Sequence, residues 1–169
     1  DEVFVPAQGR FKTDAAALAG ATAGFCATAG ADLAATQKAW QTTRADWEVT
    51  GAFAFGPVVA QMQAGPLDFW PVRDDTIEAK ILEAPATIDA AWIDGLGTSA
   101  KGMPALEYLL FAGPLAANTP RCSYAVALAD DIARRSADLA SAWDLEAEAL
   151  KTAGESGSAY ASEQAALDA

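Results

Sequence analysis

The chain has 169 residues, enough for about one domain with a buried core. Its 11 Lys and Arg against 23 Asp and Glu give a net charge of −12, and a surface that acidic repels phosphate backbones and anionic lipid, which argues against nucleic-acid binding. No histidine is present. That excludes Ser-His-Asp and Cys-His catalysis and leaves a zinc site only carboxylate and thiolate ligands within the chain.

Alanine supplies 43 of the residues. It is the best helix former and lets helices approach closely. Apolar residues make up 52%, yet no window approaches about 18 uncharged apolar residues, so no membrane span is expected. Asp1 to Arg10 lack a basic stretch followed by an apolar one, so no signal peptide is read here, although one removed beforehand would leave no trace.

In chain order, a first helix is predicted from Thr13, as N-cap, to Ala27, with Phe11, Leu18 and Phe25 seven residues apart on one stripe. Asp32 is placed to cap a second helix in which Leu33, Trp40 and Trp47 repeat that spacing and Arg44 and Glu48 lie four apart on one face. This helix should stop near Phe55-Gly56-Pro57. One or two helical turns are expected over Val58–Gly65, followed by an irregular aromatic segment, Pro66 to Arg73. Short helices are predicted at Asp75–Leu82 and Pro85–Ile93, a flexible break from Gly95 to Gly102, and a helix from Gly102 to Gly113-Pro114, its proline tolerated in the first turn.

A last long helix follows Pro120, with Tyr124, Leu128, Ile132, Leu139, Trp143 and Leu150 as its apolar stripe and Asp130, Asp131, Arg134 and Arg135 as a solvated face. No segment alternates with period two for long. The expected fold is all-α: an antiparallel up-and-down four-helix bundle over residues 1–153, with short extra helices. Glu155 to Ser158 reads as a linker, and Tyr160 and Leu167 mark a further helix within 154–169 that leads towards a second bundle.

Cys26 and Cys122 are too far apart for a CxxC pair. They suggest a disulfide and an oxidising compartment such as periplasm, with two buried free thiols as the alternative. An antiparallel bundle puts the end of the first helix and the start of the last at one pole, which favours the bridge.

Chemistry must come from carboxylates, arginines and aromatics. Glu107 lies in an apolar run between Leu106 and Tyr108; if buried, its carboxylate has to be paired, protonated or coordinating a cation. The plainer reading is an acid on a solvated helix side. Arg44 and Arg73 each lie near a tryptophan, and an arginine stacked on tryptophan while paired with a carboxylate makes either a rigid brace or a binding site. Asp68 is the natural partner for either arginine.

The run Gly102-Met103-Pro104-Ala105-Leu106-Glu107-Tyr108-Leu109-Leu110 resembles the GxHxxE signature of imelysin-like proteins, also called peptidase M75. Trp40 to Arg44 through Phe53 to Pro57 resembles that family's second helix, and Asp68-Phe69-Trp70-Pro71-Val72-Arg73 its FWPxR-like segment. Cys26 and Cys122 fall where a cysteine-bearing subgroup has its pair. The resemblance spans roughly Ala15 to Trp143 and implies the first of two similar helical-bundle halves, the second being a partner within the same protein or on a separate chain. It further implies an exported protein, periplasmic or anchored to an outer membrane as a lipoprotein, with a role in iron or other metal acquisition and with a cell-envelope transport or receptor protein as partner. One founding family member was described as a protease.

The departures bear on chemistry. The signature histidine is Pro104 here, which has no lone pair for a metal and no proton to transfer. The family's Thr-Glu-Ala-Phe-Arg-Phe run is Thr50-Gly51-Ala52-Phe53-Ala54-Phe55, without the glutamate or the arginine. Glu107 remains, with Gly102, Arg44, Asp68, Trp70 and Arg73 around it by analogy. One glutamate cannot serve as a zinc ligand set and a general base together, so protease activity is not expected. Oxygen ligands such as Glu107 and Asp68 suit a hard cation such as ferric iron better than zinc, whereas the arginines suit an anionic chelate or a protein carboxylate. The favoured reading is a non-catalytic binding protein of iron or metal acquisition. The alternatives are an envelope interaction module without metal and a residual M75 hydrolase.

Overall fold

Phe11, Ala15, Leu18, Thr22 and Phe25 are all buried and succeed one another at spacings of four and three, the mark of a single helix stripe turned inward. In the computed structural model, which describes residues 3–51 and 56–167, this stripe belongs to helix α1 (Phe4–Ala27). The helix starts nine residues before the expected cap at Thr13. That threonine lies mid-helix and its hydroxyl donates to the Gly9 carbonyl at 2.8 Å, the back-bonding a helix interior allows.

Helix α2 (Leu33–Gly51) follows a short turn, and Asp32 caps it as expected, accepting from the Ala34 amide at 2.9 Å. Its buried face alternates small and large: Thr36, Trp40, Thr43, Trp47, Thr50. The Thr36 and Thr43 hydroxyls donate to the Ala21 and Asp14 carbonyls of α1, so the close-packed threonines leave no hydroxyl unpaired against the neighbouring helix. The stop is expected near Phe55-Gly56-Pro57; Phe55 lies outside the described residues, and Gly56 and Pro57 stand at the start of the next helix.

Two single-turn helices, α3 (Pro57–Ala60) and α4 (Ala64–Leu67), supply the expected turns, but α4 runs two residues into the segment expected to be irregular, which begins at Asp68 and ends at Arg73. Next come α5 (Asp74–Glu83) and α6 (Ala90–Asp94). The latter is shorter than the predicted Pro85–Ile93, because Asp89 caps it by accepting from the Trp92 amide at 2.8 Å. The predicted break at Gly95–Gly102 contains a 3₁₀ turn (Thr98–Ala100) and is pinned. Tyr124 donates to the Ala100 carbonyl at 2.6 Å, and the buried Lys101 ammonium donates to the Ile93 and Asp94 carbonyls at 3.2 and 3.1 Å.

Helix α7 (Gly102–Phe111) leads to α8 (Pro120–Lys151), and a short α9 (Glu163–Leu167) follows a turn in which the Gly154 amide donates to the Tyr160 carbonyl. Helices α1 and α8 run antiparallel. Cys26 and Cys122 form a disulfide at one pole, with Cα atoms 5.5 Å apart, and Phe4 stacks on Trp143 at the other, ring centroids 5.6 Å apart. The cysteines are therefore bridged, not free. No strand occurs among the described residues, and the fold is all-α. None of the helices described is long and apolar enough to cross a membrane.

Two expectations for α8 fail. Leu150 is exposed, so the stripe ends near Ala147. Asp131 and Arg135 are buried, at 4% and 7% exposure, where a solvated face was expected. Arg135 reaches Asp131 at 2.8 Å, Asp94 at 2.7 Å and the Gln63 amide oxygen at 3.0 Å, and Arg134 adds bonds to Asp94 and Asp131. Partners from α6 and the α3–α4 turn make burial of these charges tolerable.

The disulfide closes a separation of 96 residues, and in the chain-entropy model a loop of that size stabilises by roughly 4–5 kcal/mol. The Cys26→Ser/Cys122→Ser double variant is expected to lose much of that, read as a lowered urea midpoint, while its far-ultraviolet circular dichroism in buffer stays helical. An unchanged midpoint would contradict this.

Candidate functional site

Helical spacing puts Arg44, Trp47, Glu48 and Gly51 on one face of α2. Opposite that face the chain leaves α4 at Asp68, whose backbone is non-helical (φ −148°, ψ 63°) and aims the carboxylate back at α2. One oxygen of Asp68 accepts from the Arg44 guanidinium and from the Trp70 indole N–H at 2.7 Å; the other accepts from the Trp47 indole N–H at 2.9 Å. Arg44 also donates to Glu48 at 3.1 Å, and its guanidinium lies 5.8 Å from the Trp70 ring centroid. Three donors on one half-buried carboxylate satisfy it and fix α2, α4 and the aromatic segment together.

Glu107 comes from α7 and is half-buried beside this cluster. Burial raises its carboxyl above the ordinary glutamate range; Arg44 opposes this and Asp68 adds to it. The next residue turns elsewhere. Tyr108 donates to Glu78 of α5 at 2.8 Å, and Arg121 of α8 pairs with the same carboxylate while lying over the tyrosine ring at 5.1 Å. The Arg121 bond, opposed by burial, holds the Glu78 carboxyl below its ordinary range.

The α7 N-terminus is set by contact. Gly102 has φ +79°, and a Cβ there would lie 2.5 Å from the Pro66 carbonyl oxygen and 2.6 Å from that of Leu67. Only glycine permits both the backbone conformation and the approach of α4. Pro104 is buried in the first turn, and Trp40 donates its indole N–H to the Met103 carbonyl at 3.1 Å beside it.

Arg44, Asp68, Trp70 and Glu107 are thus brought together, with Gly102 and Pro104 as the seat of α7. Arg73 is exposed and stands apart, its side chain making no hydrogen bond or ion pair among the described residues. Of the two arginines open to Asp68, only Arg44 takes it. The seven-residue spacing places Trp47 in the core stripe and says nothing of its N–H. Its position three residues after Arg44 was the signal that its N–H shares the arginine's partner.

The donor set does not fit a resident metal ion. Pro104 offers nothing, both Asp68 oxygens are committed to N–H donors, and Glu107 is left alone. No group of three or more Asp, Glu or Cys side chains able to hold a metal occurs among the described residues.

The chain matches the family model described as Imelysin (Peptidase_M75) over residues 5–169. It belongs to the imelysin family. Iron-regulated protein A of Synechococcus elongatus is 31% identical over 140 residues, which is 79% of this chain and 37% of that protein. Among solved structures, an imelysin-like protein from Psychrobacter arcticum 273-4 superposes with a TM-score of 0.73 at 21% identity, covering 86% of this chain and 48% of that one. A protein provisionally named an iron-regulated protein A precursor, from Parabacteroides distasonis ATCC 8503, gives 0.70 at 25% identity, over 85% and 42%. The chain therefore spans less than half the length of each of these imelysin relatives.

Gly102→Ala is expected to cost about 3 kcal/mol or more, since strain and a backbone clash add, and thermal melting reads this directly. Glu107→Gln is expected to raise the melting temperature at neutral pH. The sign follows from the raised carboxyl: its charged form is penalised in the folded state, the penalty is full above the folded value, and it vanishes below the ordinary glutamate value, where both states are protonated. Melts of the two proteins should separate at pH 7 and converge as pH falls below that value; a destabilised variant at pH 7 would refute this.

Proposed function

We propose that this chain serves an exported imelysin-like protein of iron acquisition, in a binding and not a catalytic role. The observation that carries the second half of this reading is the Asp68 knot. The carboxylate that a metal or a hydrolytic water would need already takes three N–H donors, from Arg44, Trp47 and Trp70, and the histidine position of the family signature is Pro104. Hydrolysis of a peptide requires a polarised carbonyl and an activated water, and Glu107 by itself supplies neither a Lewis acid nor a second proton carrier. The iron half rests on the family and on the name of the Synechococcus relative. Iron enters here as cargo, presented as an anionic ferric chelate that Arg44 can meet, and not as an ion caged by side chains. The periplasm or an outer-membrane lipoprotein anchor is the location that suits a disulfide. A second bundle of the same protein and a transport or receptor protein are the partners that suit it.

A second reading, an envelope interaction module without any iron cargo, is favoured by the same three bonds to Asp68, since a brace needs no ligand.

The test uses purified protein and ferric citrate. A binder of the chelate is stabilised by about 2.7 kcal/mol at a hundredfold excess over Kd, so its melting temperature should rise with ferric citrate and not with citrate alone, and Arg44→Gln should abolish the rise. A flat titration gives way to the interaction module. Chelator-sensitive peptide cleavage lost in Glu107→Ala would overturn the non-catalytic assignment.

A further inference from the structure

The α2 face that carries Arg44 does not end at the polar cluster. Three residues on, the Trp47 ring lines an open groove of about 530 Å³ walled by Val58, Val59, Met62, Pro66 and Thr98. Trp47 thus belongs to both, its N–H on Asp68 and its ring in the groove. The wall is apolar, and its rim stands out in solvent: Val59 is 56% and Met62 79% exposed.

Met62 is also strained. It follows α3 with φ +51°, its amide donates to the Val59 carbonyl at 3.0 Å, and the Gln63 amide reaches back to the Val58 carbonyl at 3.1 Å. These two bonds define a Schellman ending, in which the left-handed position is ordinarily glycine. A methionine there bears the left-handed cost and leaves its side chain in water, so folding alone gives no reason for it. Backbone strain of this kind marks a candidate functional position, and methionine is the side chain best able to mould itself to a partner.

Charge decides what fits. At the Trp47 end, three carboxylates (Glu48, Asp68 and Glu107) face one guanidinium, Arg44. A small apolar molecule in the cleft would offer these carboxylates no partner. A second copy of the chain, at net −12, would bring like charge against like.

We propose that this groove docks an apolar segment of a partner protein that carries lysine or arginine, with Val59 and Met62 as exposed apolar contacts and the exposed Glu48 carboxylate, one residue from Trp47, receiving the basic group. The proposal rests on the binding role assigned above and narrows it to a partner chemistry. Association would combine burial of the apolar rim with a salt-sensitive ionic contribution.

The test uses two labelled synthetic helical peptides of about four turns, leucine-faced and identical except that one carries lysine where the other carries glutamate. Binding is followed by fluorescence anisotropy and mapped by amide chemical shifts. The lysine peptide should bind at least about tenfold tighter, with shifts centred on Trp47, Val59 and Met62 and a dependence on ionic strength. Met62→Gly should raise the melting temperature yet weaken binding about fivefold, and Val59→Ser should weaken it similarly without unfolding the protein. Both variants keep the net charge, so they separate groove binding from general attraction to an acidic surface. Equal affinity for the two peptides, shifts centred elsewhere, or undiminished binding by Met62→Gly would overturn the proposal. So would a concentration-dependent dimer that Met62→Gly abolishes, or laurate displacing the peptide while binding with equal affinity to wild type and Met62→Gly. Ferric citrate stabilisation that persists while the lysine peptide fails to bind would remove the docking surface and leave the iron-binding role standing.

Discussion

A single carboxylate ties α2 to the aromatic segment that follows α4. Asp68 leaves a one-turn helix in a non-helical conformation and takes donors from Arg44, Trp47 and Trp70. A charge removed from water needs this density of partners; with fewer, its desolvation would outweigh its attractions. Because two of the donors sit on α2 and the third in the aromatic segment, satisfying the charge also fixes the segment against the helix. The Trp47 ring is held by its N–H, and with it one wall of the apolar groove. Glu107 lies beside this cluster, and burial, with Asp68 adding and Arg44 opposing, raises its proton affinity.

What the sequence disclosed follows from how local each signal is. The stripe of Phe11, Leu18 and Phe25 and the cap at Asp32 need only neighbours within a turn or two, and both are found in the structure. The start of α1 was misplaced because Thr13 can cap a helix or bond back within one, and the choice depends on the residues before it. The charges of α8 depart from expectation for a different reason. Asp131 and Arg135 look like a solvated i, i+4 pair, and only Asp94 and Gln63, dozens of residues away, turn them into a buried network. Lys101 is the same case, a charge whose partners are the carbonyls ending α6.

The site divides along the same line. Asp68 was recognisable as the partner of an arginine, but the choice of Arg44 over Arg73 rests on the path of the chain after α4, which no local spacing encodes. The groove had no sequence signal. Its walls come from α2, α3, α4 and the 3₁₀ turn, and the strain at Met62 is visible only as a dihedral angle.

Pro104 shows how little the fold asks of the side chain at that position. It is the third residue of α7, where an amide has no partner within its own helix, so proline forfeits no helical bond there. The residue before the helix, Lys101, makes no side-chain cap that the missing amide would have served. What seats α7 is instead the fit of Gly102 against the Pro66 and Leu67 carbonyls and the bond from Trp40 to Met103, neither of which involves position 104. A ligand-bearing side chain can therefore be exchanged for an imino acid at this one position with the helix, its glutamate and the Asp68 knot left in place. Proline at position 104 offers no side-chain donor, and the carboxylates that remain around it are held where packing and the Asp68 bonds place them.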